Sequence, residues 1–338
     1  FLENGPVRTD GTVRVNALAK VGDRVAFAGN FNQLTNNTAT IQSVALYSVG
    51  AGGVTLGLGN SQSSGPAGPS SDRRDYEIYA MDSLGDTVVV AGRFQSIRYD
   101  DTNYRELVND GTGDDRAYHL AVYNPAQFTY WVPLTYCSFQ RAFLLDPSPE
   151  PVQINAVKMS GSMVLVGGDF TATVSREKYL DTDGTEETRE VVRGVRYLAI
   201  LVPGNYPQGR TTVKHSTDTG FPDEGYQIIP TPQAVPGPVL TIDEVQTSDQ
   251  RFPGGSQFLV GGAGFLGLVG FLDGDPARMV YRALNEPGEV RGTYYTGKFH
   301  DGAVVLGGRF SEADADKPHA YGKLTNVVDD GLRATPGD

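Results

Sequence analysis

A chain of 338 residues, 39% of them hydrophobic, can bury a sizeable core, either as two average domains or as one large all-β domain. A formal net charge of −12 argues against duplex nucleic acid, which needs a basic face, and no apolar run approaches the ~20 residues of a membrane-spanning helix. The single cysteine, Cys137, excludes an intrachain disulfide, and 42 glycines with 20 prolines mark a chain rich in turns.

In chain order, the segment NGPVRTD (4–10) precedes a predicted strand in RVNALA, and the ten residues GDRVAFAGNF (22–31) follow. Within that stretch Val25, Phe27, Gly29 and Phe31 share one face, and Arg24, Ala26, Ala28 and Asn30 the other. One face is bulky and apolar and the other mostly small, which predicts a strand buried on both sides. The mid-strand glycine predicts close approach of another backbone. Gly22-Asp23 predicts a two-residue hairpin back to the preceding strand. A third strand is expected at 43–48 and a fourth at 53–58.

The same order then recurs. The second copy has EIYAMD, GDTVVVAGRF (85–94), HLAVYN (119–124) and FTYWVPL (128–134). The third has QINAVK, GSMVLVGGDF (161–170), YLAILV (197–202) and RTTVKH (210–215). The fourth, GSQFLVGGAGF (255–265), is degenerate: Gly264 takes the phenylalanine position and Phe265 follows one late. The fifth, DGAVVLGGRF (301–310), is followed by a third strand at 320–325 and no evident fourth.

The second glycines of the copies, Gly29, Gly92, Gly168, Gly262 and Gly308, are unevenly spaced, as for one unit carrying variable insertions. The expected fold is all-β: a single β-propeller domain over 1–338, with five four-stranded antiparallel blades. In that reading the segment 4–10 supplies the outer strand of the last blade and closes the ring. The long gap between Gly168 and Gly262 leaves a six-bladed alternative open. A β-sandwich fits less well, because its strands should each show one solvated face.

The pattern Ala-x(4)-Gly-[Asp/Ser]-x-Val-x-Val-[Ala/Gly]-Gly-x-Phe, followed by Leu-Ala-x-Tyr, resembles the delta-sixty, kelch-like propeller repeat of bacterial secreted and surface proteins and fungal cortical polarity markers. The resemblance covers all five copies and implies a propeller. That family has no shared catalytic set, so the resemblance implies no reaction. It departs from true kelch repeats, which carry a Tyr and a Trp after the double glycine, whereas Trp131 is the one tryptophan here. The expected extracellular or cell-surface location comes from this resemblance.

Function is expected where the copies differ. The long loops are 60–75, 95–117, 171–196 and 216–238, and in a four-stranded blade the second-to-third loops share a face with the blade connections. Segment 99–116 carries Asp100, Asp101, Asp110, Asp114 and Asp115. DTDGTEE offers Asp181, Asp183 and Glu186 as candidate calcium ligands, without the glutamate at the twelfth position of a calcium loop. A solvated acidic loop is the alternative for both segments.

The residue before each motif phenylalanine varies (Asn30, Arg93, Asp169, Arg309, with Ala263 in the fourth copy), so these positions form either a polar collar for a ligand or pairs between blades, such as Arg93 with Asp169. Four scattered histidines supply no metal triad, and no Gly-x-Ser-x-Gly elbow or P-loop lysine is present. The expectation is therefore a non-enzymatic interaction module with no cofactor unless calcium binds. Its loop-bearing face would take a protein, a glycan or another copy of itself, but not nucleic acid. A glycan-active hydrolase or lyase with carboxylates in the funnel, and a subunit of a filament or surface layer, are the rival readings.

Overall fold

The computed structural model describes residues 6–8, 11–34, 44–48, 53–55, 65–67, 76–94, 96–98, 104–106, 120–125, 131–134, 138–140, 152–180, 186–203, 226–229, 235–245, 256–284, 291–300, 303–311, 318–325 and 334–335. Among them lie five four-stranded antiparallel sheets, each strand hydrogen-bonded to the next in chain order. Sheet 1 is Val15–Val21, Arg24–Gly29, Val44–Ser48 and Gly53–Thr55. Sheet 2 is Glu77–Leu84, Thr87–Arg93, Leu120–Tyr123 and Val132–Pro133. Sheet 3 is Ile154–Ser160, Met163–Gly168, Leu198–Pro203 and Tyr226–Ile229. Sheet 4 is Val239–Val245, Gln257–Gly262, Phe265–Phe271 and Met279–Ala283, and sheet 5 is Arg291–His300, Ala303–Ser311, Pro318–Thr325 and Ala334–Thr335. Helix among the described residues is limited to two 3-10 turns, Leu272–Gly274 and Pro276–Arg278.

The chain divides into two compact units. One comprises Phe1–Gln140, Thr173–Arg193 and Val202–Gln227, and contains sheets 1 and 2. Its core packs Ala26, Ala28 and Leu46 of sheet 1 against Met81, Val88, Val90 and Ala121 of sheet 2, with Phe94 and Trp131. Trp131 is fully buried, and its ring lies 5.7 Å from that of Tyr123. The other unit comprises Arg141–Ala172, Gly194–Leu201 and Ile228–Asp338, and contains most of sheet 3 with sheets 4 and 5. Here Leu259, Leu266 and Leu268 of sheet 4 pack with Tyr294 and Leu306 of sheet 5.

The repeated motif has a physical cause in the first hairpin of each sheet. Gly22, Gly85 and Gly161 open two-residue turns at φ of 59°, 63° and 56°, a left-handed conformation that glycine adopts without steric cost. At the other end of the hairpin the pairing slips by one residue, at Val15/Ala17, Ile78/Ala80, Ile154/Ala156, Val239/Thr241 and Tyr294/Thr296. Such a bulge turns the preceding carbonyl over the second strand. A Cβ on Gly29, Gly92, Gly168 or Gly262 would run into the carbonyl oxygen of Arg14, Glu77, Gln153 or Pro238, respectively. The close backbone approach expected of the mid-strand glycine is therefore a carbonyl of its own sheet. The small residue just before it answers to a different neighbour: a Cβ on Gly167 would strike Val239 and Ile242 of sheet 4.

Several expectations are corrected. Residues Pro6–Val7 pair with Gln33–Leu34, and the fourth strand of sheet 5 is Ala334–Thr335, paired with Lys323 and Leu324. The amino-terminal segment therefore does not complete the last sheet, whose outer strand comes from the same stretch of chain as its other three. The outer strand of sheet 3 is Tyr226–Ile229, while 210–215 lies outside the described residues. In the fourth copy Ala263-Gly264 is a two-residue turn, with Gly264 at φ 75°, leading straight into the strand that begins at Phe265. The chain thus passes from Gly262 to the third strand at the point where the other copies extend outward.

Candidate partner-binding face

In the first three copies the chain upstream of a sheet is hydrogen-bonded to the segment that leaves that sheet's second strand. Pro6–Val7 pairs antiparallel with Gln33–Leu34, and Gly65–Ala67 pairs with Ser96–Arg98, which pairs in turn with Tyr104–Glu106. Ser138–Gln140 neighbours Ala172–Leu180, which neighbours Glu186–Gly194. The sequence placed connections and second-to-third insertions on one face; here they join as small accessory sheets. Segments 95–117 and 171–196 thus carry strands, where loops were expected.

In sheet 3 the excursion continues the hairpin itself. The Gly168 amide donates to the Tyr197 carbonyl at 3.0 Å, the Tyr197 amide to Phe170 at 2.8 Å and the Val195 amide to Thr171 at 3.2 Å. Tyr197 sits at φ 66° at this irregularity, the one non-glycine residue with positive φ among those described.

The collar positions sit where the first hairpin of each sheet ends, and their chemistry follows from the strand opposite. Asn30 is buried: its Oδ1 accepts the Arg14 amide at 2.6 Å and its Nδ2 donates to the Thr12 carbonyl at 2.8 Å. Asp169 does the same in sheet 3, its Oδ1 accepting the Gln153 amide at 2.7 Å. In sheet 4 the corresponding residue is Pro238, which has no amide hydrogen to satisfy, and the collar residue is Ala263. Arg93 lies directly across from Glu77, and Arg309 across from Thr293; both arginines are exposed.

Around Asn30 and Glu77 the first unit gathers a line of charge. The Arg8 Nη1 donates to the Asn30 carbonyl at 3.0 Å, and the Arg14 Nη1 lies 3.6 Å from the Glu77 carboxylate. That carboxylate also accepts from Asn16 at 2.9 Å, whose amide group reaches the Ile78 carbonyl at 2.8 Å and so ties sheet 1 to sheet 2. Asn155 makes the corresponding bond to Val239 in the other unit, at 3.4 Å.

A charge cluster in the second unit escaped sequence reading. Asp243, almost fully buried, holds Lys298 at 2.9 Å and Lys158 at 3.7 Å, joining the first strands of sheets 3, 4 and 5. A buried carboxylate needs such partners to offset its desolvation. The signal was available in the repeat: Lys158, Asp243 and Lys298 each pair across from Leu165, Leu259 and Val305, the middle of the motif strand, as do Ala19 and Asp82 across from Ala26 and Val89.

Asp100, Asp101, Asp110, Asp114, Asp115, Asp181 and Asp183 lie outside the described residues, and Glu186 is placed only as the first residue of the strand Glu186–Gly194. Among the described residues no group of three or more His, Cys, Asp or Glu side chains could hold a metal, and no helix is long and apolar enough to cross a membrane.

No protein-family model and no curated protein matches the chain. Among solved structures it overlaps the computationally designed protein Ika8, with 14% identity, covering 91% of this chain and 95% of that one at a TM-score of 0.29. It also overlaps YCF48, a β-propeller solved with a D1 peptide, with 12% identity, covering 94% and 98% at a TM-score of 0.26. Overlaps of this size are a general likeness and carry nothing about function. The antiparallel all-β organisation of the described residues fits a propeller in general.

Proposed function

We propose that the chain is a five-bladed β-propeller of the delta-sixty type, acting outside the cell as a non-enzymatic interaction module. Each four-stranded sheet is one blade, and the accessory strands form the surface that meets a protein, a glycan or a second copy. The observation that carries this reading is where the copies vary. The bulge and the second-strand glycine recur from sheet to sheet and the two-residue turn in sheets 1 to 3, while the passage from second to third strand ranges from the two residues Ala263-Gly264 to the 29 between Gly168 and Leu198. A scaffold that tolerates both is suited to rigid display of a variable surface.

The test is to replace 173–193 with an Asn-Gly turn, which closes the excursion of sheet 3 just beyond Thr171 and Val195 and brings its connection nearer the short one of sheet 4. The variant should keep the far-ultraviolet spectrum of the parent, while any concentration-dependent self-association seen by light scattering is lost. A variant that fails to fold overturns the display reading. Running the parent with calcium and then with chelator separates an acidic loop that needs the ion from one that is only solvated.

A further inference from the structure

The three sheets of the second unit are near-copies where they pack. Their second strands read MVLVGG, QFLVGG and, within Ala303–Ser311, AVVLGG. Burial of such apolar surfaces is non-directional, so it holds the sheets together without telling one from another. Exchange of one repeat for another, within a chain or between copies, is a characteristic failure of repeat proteins.

One position of the first strand differs in sign from sheet to sheet. Lys158, Asp243 and Lys298 lie across from Leu165, Leu259 and Val305, the same register position in sheets 3, 4 and 5. Both lysines meet one oxygen: Asp243 Oδ1 accepts from the Lys298 Nζ at 2.9 Å and lies 3.7 Å from the Lys158 Nζ. The Asp243 side chain is 6% exposed and that of Lys158 17%, so little water reaches this pair, whereas Lys298 is 69% exposed.

Sheet 4 is the middle member of the three. Its Val239 and Ile242 fill the space beside Gly167 of sheet 3, and its Thr241 Oγ1 accepts the Gly297 amide of sheet 5 at 3.0 Å. Sheet 3 packed directly on sheet 5 would instead bring Lys158 to Lys298. Sheet 4 packed on the sheet 4 of a second copy would bring Asp243 to Asp243. Each exchange sets like charges together while withdrawing them from water, and both effects oppose it.

We propose that Lys158, Asp243 and Lys298 form an ordering device. Their alternating signs admit sheet 4 only between sheets 3 and 5 and reject the exchanged arrangements that the shared apolar faces allow. Asp243 is the centre of the device, because a single carboxylate answers both lysines. The inference goes beyond the display reading and holds whether or not the accessory strands meet a partner.

The full chain is unfolded in urea, refolded by dilution at high protein concentration, and followed by size-exclusion chromatography and an amide correlation spectrum. Lys158→Met/Asp243→Leu/Lys298→Gln removes every charge at this position and leaves none buried alone. Replacing a buried ion cluster with apolar groups is often neutral or stabilising, so the urea midpoint should stay at the parent's value or rise. The refolded variant should nonetheless lose its single elution peak and split its amide signals, where the parent gives one species. A single species with the parent's spectrum overturns the proposal and leaves the cluster as a contribution to stability alone.

Should the triple variant not fold, Lys298→Glu decides, since that exposed side chain can be replaced without a clash. It sets like charges together at the joint of sheets 4 and 5 and should refold to a mixture. A single species at reduced stability overturns the proposal. The replacement of 173–193 leaves all three residues in place and should refold as one species, so failure of the display test and failure of this one are separate results.

Discussion

Sheets 3 and 4 share their interior, and among the connections in which they differ is the one from second strand to third. Both begin with a first strand that slips by one residue, both lay a carbonyl over the second glycine, and both bury the second strand throughout its middle. Yet sheet 3 runs on from Phe170 and Thr171 into a paired excursion, whereas sheet 4 turns back at Ala263-Gly264. The difference teaches that sheet stability is set below the collar position and that the chain above it is free to vary. Loop-closure entropy grows only slowly with length, so a long excursion costs the sheet little.

The strongest way to break the comparison is to attack what the two sheets share. Gly168→Val and Gly262→Val each push a side chain into a carbonyl, of Gln153 or Pro238. Each should lose about 3 kcal/mol or more of unfolding free energy, at the upper end of overpacking costs. Urea denaturation of the two variants is the check. A loss in one sheet only would show that the bulge matters in one sheet and is incidental in the other.

The next effect belongs to sheet 4 and its neighbour. Sheet 4 has Gly267 where sheet 3 has Ala199, each across from the corresponding valine of the motif strand, and the Tyr281 ring occupies the space a Cβ would need. Burial pushes the Tyr281 and Tyr294 hydroxyls up to about 12. Because the unfolded chain ionises these tyrosines near 10, it releases protons that the folded state still holds. Their contribution is complete below pH 10 and falls as pH rises through 12. The urea midpoint should drop measurably from pH 10 upward, and a Tyr281→Phe/Tyr294→Phe double variant should flatten that part of the profile.

A smaller loss is expected from the collar of sheet 3. Asp169→Ala leaves the Gln153 amide without its acceptor and should cost about 1 kcal/mol. Asp169→Asn keeps the carbonyl oxygen and should cost a few tenths at most, as an amide serves the same bond in Asn30. Equal losses in the two variants would assign the effect to charge instead of to the hydrogen bond.

Much of this architecture was legible in the sequence, because side chains alternate strictly in a strand and the two-residue turn has a glycine signature. Val88 and Val90 on one face and Val89 and Ala91 on the other announced a strand buried on both faces, and all four are fully buried. The ring closure expected from 4–10 was not legible. Pairing between Pro6–Val7 and Gln33–Leu34 depends on backbone hydrogen bonds that leave no pattern in so short a strand. Register hid the Lys158–Asp243–Lys298 cluster in a similar way, since its members lie in three strands and meet only once the bulges are placed. The acidic residues singled out in 99–116 had composition as their signal, and those in 181–186 a partial calcium-loop spacing, and neither fixes geometry.

The smallest effect is the most discriminating for the collar. If the polar residue at this position were selected by a ligand, Ala263→Asp would add a useful group to sheet 4. If it serves the amide opposite, the substitution has nothing to bind, because Pro238 has no N–H. Ala263 is exposed and precedes the turn glycine, so an aspartate is accommodated without a clash. The expected change in stability is therefore within about 0.5 kcal/mol, as for other surface substitutions. The paired variant Pro238→Gln/Ala263→Asp rebuilds in sheet 4 the Gln153–Asp169 arrangement of sheet 3. It should be more stable than Pro238→Gln alone by about 1 kcal/mol, the ordinary worth of one such bond. Additivity of the two substitutions in a double-mutant cycle would detach the collar residue from the strand it faces and return these positions to ligand binding.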